Sequence, residues 1–81
     1  MENSRVIQEF MKNAGEKVRI ELGEFKGRAM INVRVYYPGE AEDEWKPSHK
    51  GITMSSELIP DLKGAIDKAT EEWEKGFPKP N

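Results

Sequence analysis

Cations and flat side chains crowd one part of this sequence. Phe25, Lys26, Arg28, Arg34, Tyr36 and Tyr37 fall within residues 25–37, and Trp45, Lys46 and Lys50 follow closely. Lysine and arginine hold phosphates, and aromatic rings stack on unpaired bases at about 1–3 kcal/mol per base. The combination is the chemistry of a single-stranded nucleic-acid groove. Arginine and tyrosine also suit half-exposed strands in general, so the same residues fit an ordinary solvated sheet face.

Other chemistries have little support. The single histidine, His49, lies in the polar stretch KPSHKG with no second histidine to share a metal, and there is no cysteine. Glu40, Glu42, Asp43 and Glu44 form an acidic run whose spacing is not that of a calcium loop. Ser55 and Ser56 precede an amphipathic stretch and read as helix caps rather than nucleophiles. No nucleophile elbow, phosphate loop or dinucleotide fingerprint is present. The expectation is a protein with no catalytic residue, metal or cofactor.

The chain has 81 residues and a net charge of −2. A chain this short forms one domain and buries only about 60% of its unfolded surface. Without disulfides, a second subunit is the expected reinforcement. Mild acidity argues against nucleic acid until the charge is mapped. Residues 17–37 carry five cations (Lys17, Arg19, Lys26, Arg28, Arg34) against Glu21 and Glu24. Charges farther apart than about 8–10 Å are screened from one another, so a basic sheet face can coexist with an acidic loop and helix. No apolar run approaches the roughly 18 residues of a membrane span, and MENSRVIQEF lacks the apolar run of a secretory signal.

The elements that position these residues follow from periodicity. Val6, Ile7, Phe10, Met11 and Ala14 recur at helical spacing, with Ser4 as cap and Gly15 as stop, predicting a short N-terminal helix. KVRIEL, residues 17–22, alternates with Val18, Ile20 and Leu22 inward. Lys26-Gly27 turns the chain into a second strand, 28–37, which Pro38-Gly39 ends. EWKPS and GITM predict a third and a fourth strand, and Pro47 confines the third to an edge. Ile59, Leu62, Ile66, Ala69 and Trp73 mark the apolar stripe of a long helix that begins just before Pro60, and Gly76 and Pro78 stop it. The predicted class is α+β: a four-stranded antiparallel meander followed by one long helix. The predicted organisation is a helical segment at 1–16, a domain at 17–75 and a loose tail at 76–81. The helix covers one sheet face, leaving Lys17, Arg19, Arg28, Arg34 and Tyr36 on the open one.

FKGRAMINVRVYY, then an acidic loop, WKPSHKGITM and an amphipathic helix, resembles the positive cofactor four family of single-stranded-DNA-binding transcriptional coactivators. The resemblance spans about Lys17 to Ala69. It implies a curved four-stranded antiparallel sheet and a homodimer in which the helices pair and the two sheets form adjoining DNA grooves, and the apolar stripe of Ile59, Leu62, Ile66, Ala69 and Trp73 is the expected dimer contact. It implies that Phe25 stacks, that Lys26 and Arg28 bind phosphate, that Arg34 is the mid-strand arginine, and that Lys46 and Lys50 are the lysines of the later block. Tyr37 stands where the family usually has tryptophan, His49 where it has arginine, and Gly23 where a cation is common. Strict alternation puts Tyr37 on the core face; a bulge before Pro38 would turn it to the DNA, and otherwise Tyr36 stacks. The leading segment is not the serine-rich acidic region of eukaryotic members, and the compact form looks like bacterial relatives.

The implied partners are single-stranded DNA, with RNA as an alternative, a second copy of the chain and the transcription machinery, with no membrane. The implied location is cytoplasmic, nucleoid-associated in a bacterium. A competing class is a dimeric interaction module whose sheet receives a peptide rather than nucleic acid.

Overall fold

Four consecutive strands run back and forth in the computed structural model, which describes residues 1–78. They are β1 (Glu2–Asn13), β2 (Glu16–Phe25), β3 (Arg28–Pro38) and β4 (Trp45–Ser55), antiparallel in the order β1-β2-β3-β4. A 3₁₀ turn, Ser56–Leu58, leads into α1 (Ile59–Glu74). The meander followed by one long helix is as the sequence predicts. The start at Ile59 puts Pro60 in the first turn, where its missing N–H costs nothing. Ser55 caps the 3₁₀ turn, accepting from the Glu57 amide at 3.3 Å, rather than α1 itself.

The predicted N-terminal helix is a strand. An isolated helix of that length is marginal, whereas a strand there gains a backbone ladder with β2. Ala14-Gly15 closes the hairpin, with the Asn13 side chain accepting from the Gly15 amide at 2.9 Å. The helix-like pattern has a physical source. The pairing of β1 slips between Glu2 and Arg5, Val6 and Gln8, and Met11 and Asn13, each time with one extra residue on β1. Such bulges break strict alternation, so adjacent apolar residues such as Val6 and Ile7 occur without a helix. Residues 1–16 are therefore part of the sheet rather than a separate helical segment. Of the predicted tail, residues 79–81 lie outside the described residues.

EWKPS and GITM belong to one strand, β4. Between the pairs Tyr36–Pro47 and Arg34–Gly51, β4 carries two extra residues. Ser48 fastens this bulge: its hydroxyl donates to the Val35 carbonyl at 2.8 Å and accepts from the Lys50 amide at 3.1 Å. Arg34 Nη1 donates to the Ser48 carbonyl at 3.0 Å. At the opposite end of β3 the turn is tight. Lys26 and Gly27 both have positive φ, 52° and 77°, the pattern of a primed two-residue hairpin turn.

The register of β2 against β3 is unbroken from Lys17–Tyr36 to Phe25–Arg28. One face therefore carries Lys17, Arg19, Glu21, Phe25, Arg28, Asn32, Arg34 and Tyr36. The other carries Val18, Ile20, Leu22, Ile31, Val33 and Val35. The helix covers neither face within the chain, contrary to the sequence expectation. Its substantial contacts are with the 3₁₀ turn before it. The only buried apolar side chains among the described residues are Ile31 and Tyr36. The radius of gyration is 15.3 Å, against about 12 Å for a compact domain of this length. This is a single-layer sheet with a projecting helix.

There is no room for a side chain at Gly51 of β4, where a Cβ would lie 2.6 Å from the Val33 carbonyl oxygen and 2.8 Å from Arg34 Cα. Backbone atoms cannot step aside as side-chain ends do. Gly51→Ala is expected to destabilise the fold by about 1–3 kcal/mol, read as a lower urea midpoint at fixed protein concentration with an unchanged m-value. An unchanged midpoint would mean that the strands pair less closely in solution.

Candidate nucleic-acid interface

Strand alternation sets Tyr36 opposite Lys17, and the middle of the polar face forms around it. Tyr36 is buried, and its hydroxyl donates to Glu21 Oε1 at 2.7 Å. Glu21 is buried too, and a buried carboxylate needs such a donor. Burial, reinforced by the bond to Glu21, raises the Tyr36 phenol above its ordinary value. The Arg19 guanidinium lies 4.0 Å from the Tyr36 ring centroid. Lys17 Nζ lies 4.3 Å from that of Trp45. Both cations also pair with Glu9 of β1, Lys17 at 3.1 Å and Arg19 at 2.6 Å. The bond from Arg19 holds the Glu9 carboxyl below its usual range.

Arg34 is fixed by a second set of partners. Besides the Ser48 carbonyl, it donates to Asn32 Oδ1 at 3.2 Å and reaches Thr53 Oγ1 at 3.4 Å. Thr53 in turn donates to Asn32 Oδ1 at 3.0 Å. The guanidinium has no carboxylate partner among the described residues, so its charge is held in place but not neutralised. That is the state a phosphate site requires.

The hairpin tip is different again. Phe25 is 55% exposed, Lys26 and Arg28 are exposed, and Lys26 Nζ lies 5.3 Å from the Phe25 ring centroid. Among the described residues neither Lys26 nor Arg28 makes a salt bridge. An open ring flanked by two uncompensated cations can offer stacking and phosphate binding together.

The ten candidate residues therefore do not share one face. Phe25, Arg28, Arg34, Arg19, Tyr36 and Trp45 follow the polar face by register, with Lys26 in the turn. Tyr37 pairs with Lys46 on the apolar parity, at the far end of the sheet. Lys50 borders a shallow depression lined by Val18, Val33, Val35 and Ile52. The two tyrosines differ in this conformation. Tyr36 is packed and hydrogen-bonded, and Tyr37 is 42% exposed. The bulge that was needed to turn Tyr37 does not precede Pro38; it lies in β4, opposite Val35, and leaves the alternation of β3 intact. On the helix, Ile59 and Leu62 are half-buried, and Ile66, Ala69 and Trp73 are exposed.

Glu9, Glu21, Asn32 and Ser48 organise the face, and sequence reasoning gave none of them a role. Glu21 was legible only as an outward residue of an alternating strand. Glu9 had no signal at all while residues 4–14 read as a helix. No group of His, Cys, Asp or Glu among the described residues is arranged to hold a metal. No helix among them is long and apolar enough to cross a membrane.

Comparison with known proteins points to one family. Residues 12–65 match the family model described as Transcriptional Coactivator p15 (PC4). Among solved structures, a PC4 homologue from Burkholderia pseudomallei superposes with a TM-score of 0.78 in its orthorhombic form, at 23% identity over 85% of this chain and 92% of that one. Its tetragonal form gives 0.75 at 22% identity over 84% and 98%. A bacteriophage T5 homologue of the eukaryotic coactivator PC4, implicated in recombination-dependent DNA replication, gives 0.71 at 26% identity over 89% and 82%. No curated protein matches the chain.

The Tyr36–Glu21 bond yields a test of the polar face. Tyr36→Phe leaves a buried carboxylate without its donor, which is expected to cost about 1–3 kcal/mol near neutral pH. The folded phenol titrates above its unfolded value of about 10. Its contribution to stability is thus fully present below about pH 10 and is lost as pH rises through the folded value. Urea melts across the alkaline range should show this loss in the wild type and a smaller one in Tyr36→Phe. Equal alkaline slopes would mean that the phenol is not buried in solution.

Proposed function

The chain belongs to the transcriptional coactivator p15 (PC4) family, and from that premise we propose that it is a homodimeric single-stranded-DNA-binding protein. The observation that carries this reading is the hairpin tip, where exposed Phe25 stands between two cations, Lys26 and Arg28, that no carboxylate of the described chain neutralises. Arg34 extends the row of positive charge along the face. At about 3.4 Å per residue, β3 runs on the order of 30 Å from Arg28 to Tyr37, a track long enough for several nucleotides. Stacking by Phe25, with phosphates held by Lys26, Arg28 and Arg34, is the binding mode the polar face supports; Tyr37 and Lys46 on the opposite parity, and Lys50 beside the apolar depression, stand apart from it. Tyr36, Arg19 and Trp45 serve as the floor beneath it. No bond making or breaking is assigned to any residue. The role is coactivator-like or in DNA maintenance, within the cytoplasm or nucleoid.

The dimer follows from what a single chain leaves uncovered. Phe10, Leu22 and Ile52 of the sheet and Ile66 and Trp73 of α1 are all exposed. A soluble protein rarely leaves so much apolar surface contiguous. A second copy would cover the apolar sheet face and the helix stripe together, and leave both polar faces outward.

Anisotropy titrations with dT oligomers, the matching RNA and a duplex of equal length test the ligand. Single strands are expected to bind more tightly than duplex, because a duplex hides its base faces. Arg34→Ala should reduce the salt slope by about 0.7. Phe25→Ala should weaken binding by roughly 1–3 kcal/mol with little change of slope. Equal affinity for single strands and duplex would remove the stacking mechanism, and no affinity for either would favour a peptide-binding module.

Sedimentation at micromolar concentration is expected to give a dimer. Ile66→Glu, which places an unpaired charge in the buried interface, should shift the population toward monomer or unfolded chain. A wild-type monomer would remove the dimer.

A further inference from the structure

The polar face contains an anion site that is already filled, and the anion is the protein's own. Glu9 presents Oε1 to Lys17 Nζ at 3.1 Å and Oε2 to Arg19 Nε at 2.6 Å, so one carboxylate bridges two cations. Each cation also lies over an aromatic ring, Lys17 over Trp45 and Arg19 over Tyr36. The three charged side chains keep 32%, 13% and 21% of their surface exposed, for Glu9, Lys17 and Arg19. We propose that Lys17 and Arg19 form a phosphodiester subsite that Glu9 occupies in the free protein, and that a nucleic-acid strand enters it by displacing the Glu9 carboxylate. The inference rests on the single-strand-binding reading above and adds to it a site and a competitor.

Three features carry the argument. A phosphodiester, like a carboxylate, offers one negative charge spread over two outward oxygens, so donors spaced for one suit the other. The cations do not depend on Glu9 for their placement. They stand on β2, paired on both sides, and cation–π contact with Trp45 and Tyr36 gives each a second hold. Tyr36 is itself pinned by Glu21. The anion is the less secured partner. Glu9 stands on the outer strand β1, bonded on one side only, between the irregularities at Val6/Gln8 and Met11/Asn13. The carboxylate can therefore withdraw while the cationic pair stays in position.

The consequence is quantitative. With Glu9 in place the cluster carries one net positive charge instead of two, and a phosphate that binds there exchanges for a carboxylate rather than for counterions alone. Glu9 therefore lowers both the affinity for single strands and the dependence of that affinity on salt. Glu9 would then set the concentration of single strands at which the face fills.

The test is a salt series of dT titrations on the full chain. Glu9→Gln keeps the shape while removing the charge and one of the two acceptor oxygens, and circular dichroism checks the fold. The expected result is tighter binding at low salt and a salt slope steeper by about 0.7–1.4, for one or two added phosphate contacts. Glu71→Gln makes the same charge change on the exposed surface of α1 and should leave the slope as in the wild type. On an Arg19→Gln background, Glu9→Gln should regain only about half of the added slope. If the wild type binds dT and Glu9→Gln shows an equal or shallower slope, the subsite is refuted and Glu9 merely positions its neighbours. If neither protein binds dT at any salt concentration, the single-strand reading itself fails and the subsite falls with it.

Discussion

The hydrogen bond between the Tyr36 hydroxyl and Glu21 ties together two adjacent central strands. Much of the polar face is arranged around it. A phenol and a carboxylate both stay buried because each satisfies the other. The ring so fixed is a platform for Arg19, and Arg19 with Lys17 gathers Glu9 from the outer strand. The face is therefore ordered outward from a polar contact rather than from a hydrophobic centre. Replacing that contact would disturb the cations of β2 and, through them, Glu9 on β1. Arg34 is held independently, by the amide and hydroxyl groups of Asn32 and Thr53 and by the Ser48 carbonyl. The charge there stays available because neutral acceptors hold it.

The opposite face has no comparable internal solution. Its valines, isoleucines and leucine lie on a sheet that the helix leaves bare, and the helix has an apolar stripe of its own. Both surfaces lack a cover in one chain, and the proposed second copy would supply one to both. The division of labour between the faces explains how an acidic protein can present a basic surface. Acidic residues are concentrated in the loop at 40–44 and along α1, and the cations gather on strands β2 and β3 and in the turn between them.

Much of this was legible in the residues. Clean alternation gave β2 and β3, Lys26-Gly27 gave the turn, and Pro60 gave the start of α1, because each is a local effect of backbone geometry. β1 was not legible, since bulges scramble the alternation that identifies a strand, and its pairing partner lies beyond any local window. β4 read as two pieces because Ser48 repairs with its side chain a break that the backbone pattern alone would enforce. The helix does not lie over the sheet as expected, because amphipathicity marks an apolar stripe but not the surface it packs on. Within the proposed site, residue types pointed to Phe25, Lys26, Arg28 and Arg34, and the register places Phe25, Arg28 and Arg34 on one face with Lys26 in the turn. The buried state of Tyr36 and the place of Glu9 depend on cross-strand register, which composition does not contain.

The irregularities of the outer strands bear on how the protein avoids polymerising. An open four-stranded sheet has two free edges, and a regular free edge is a template for strand addition and fibre growth. Here β1 inserts an extra residue at three places and β4 inserts two at Ser48–Lys50, with Pro47 beside them. Donors and acceptors along both edges fall out of step with any straight incoming strand, and proline withholds one donor altogether. The molecule thus leaves its faces open while denying its edges to strand addition, which guards against propagation into amyloid-like stacks.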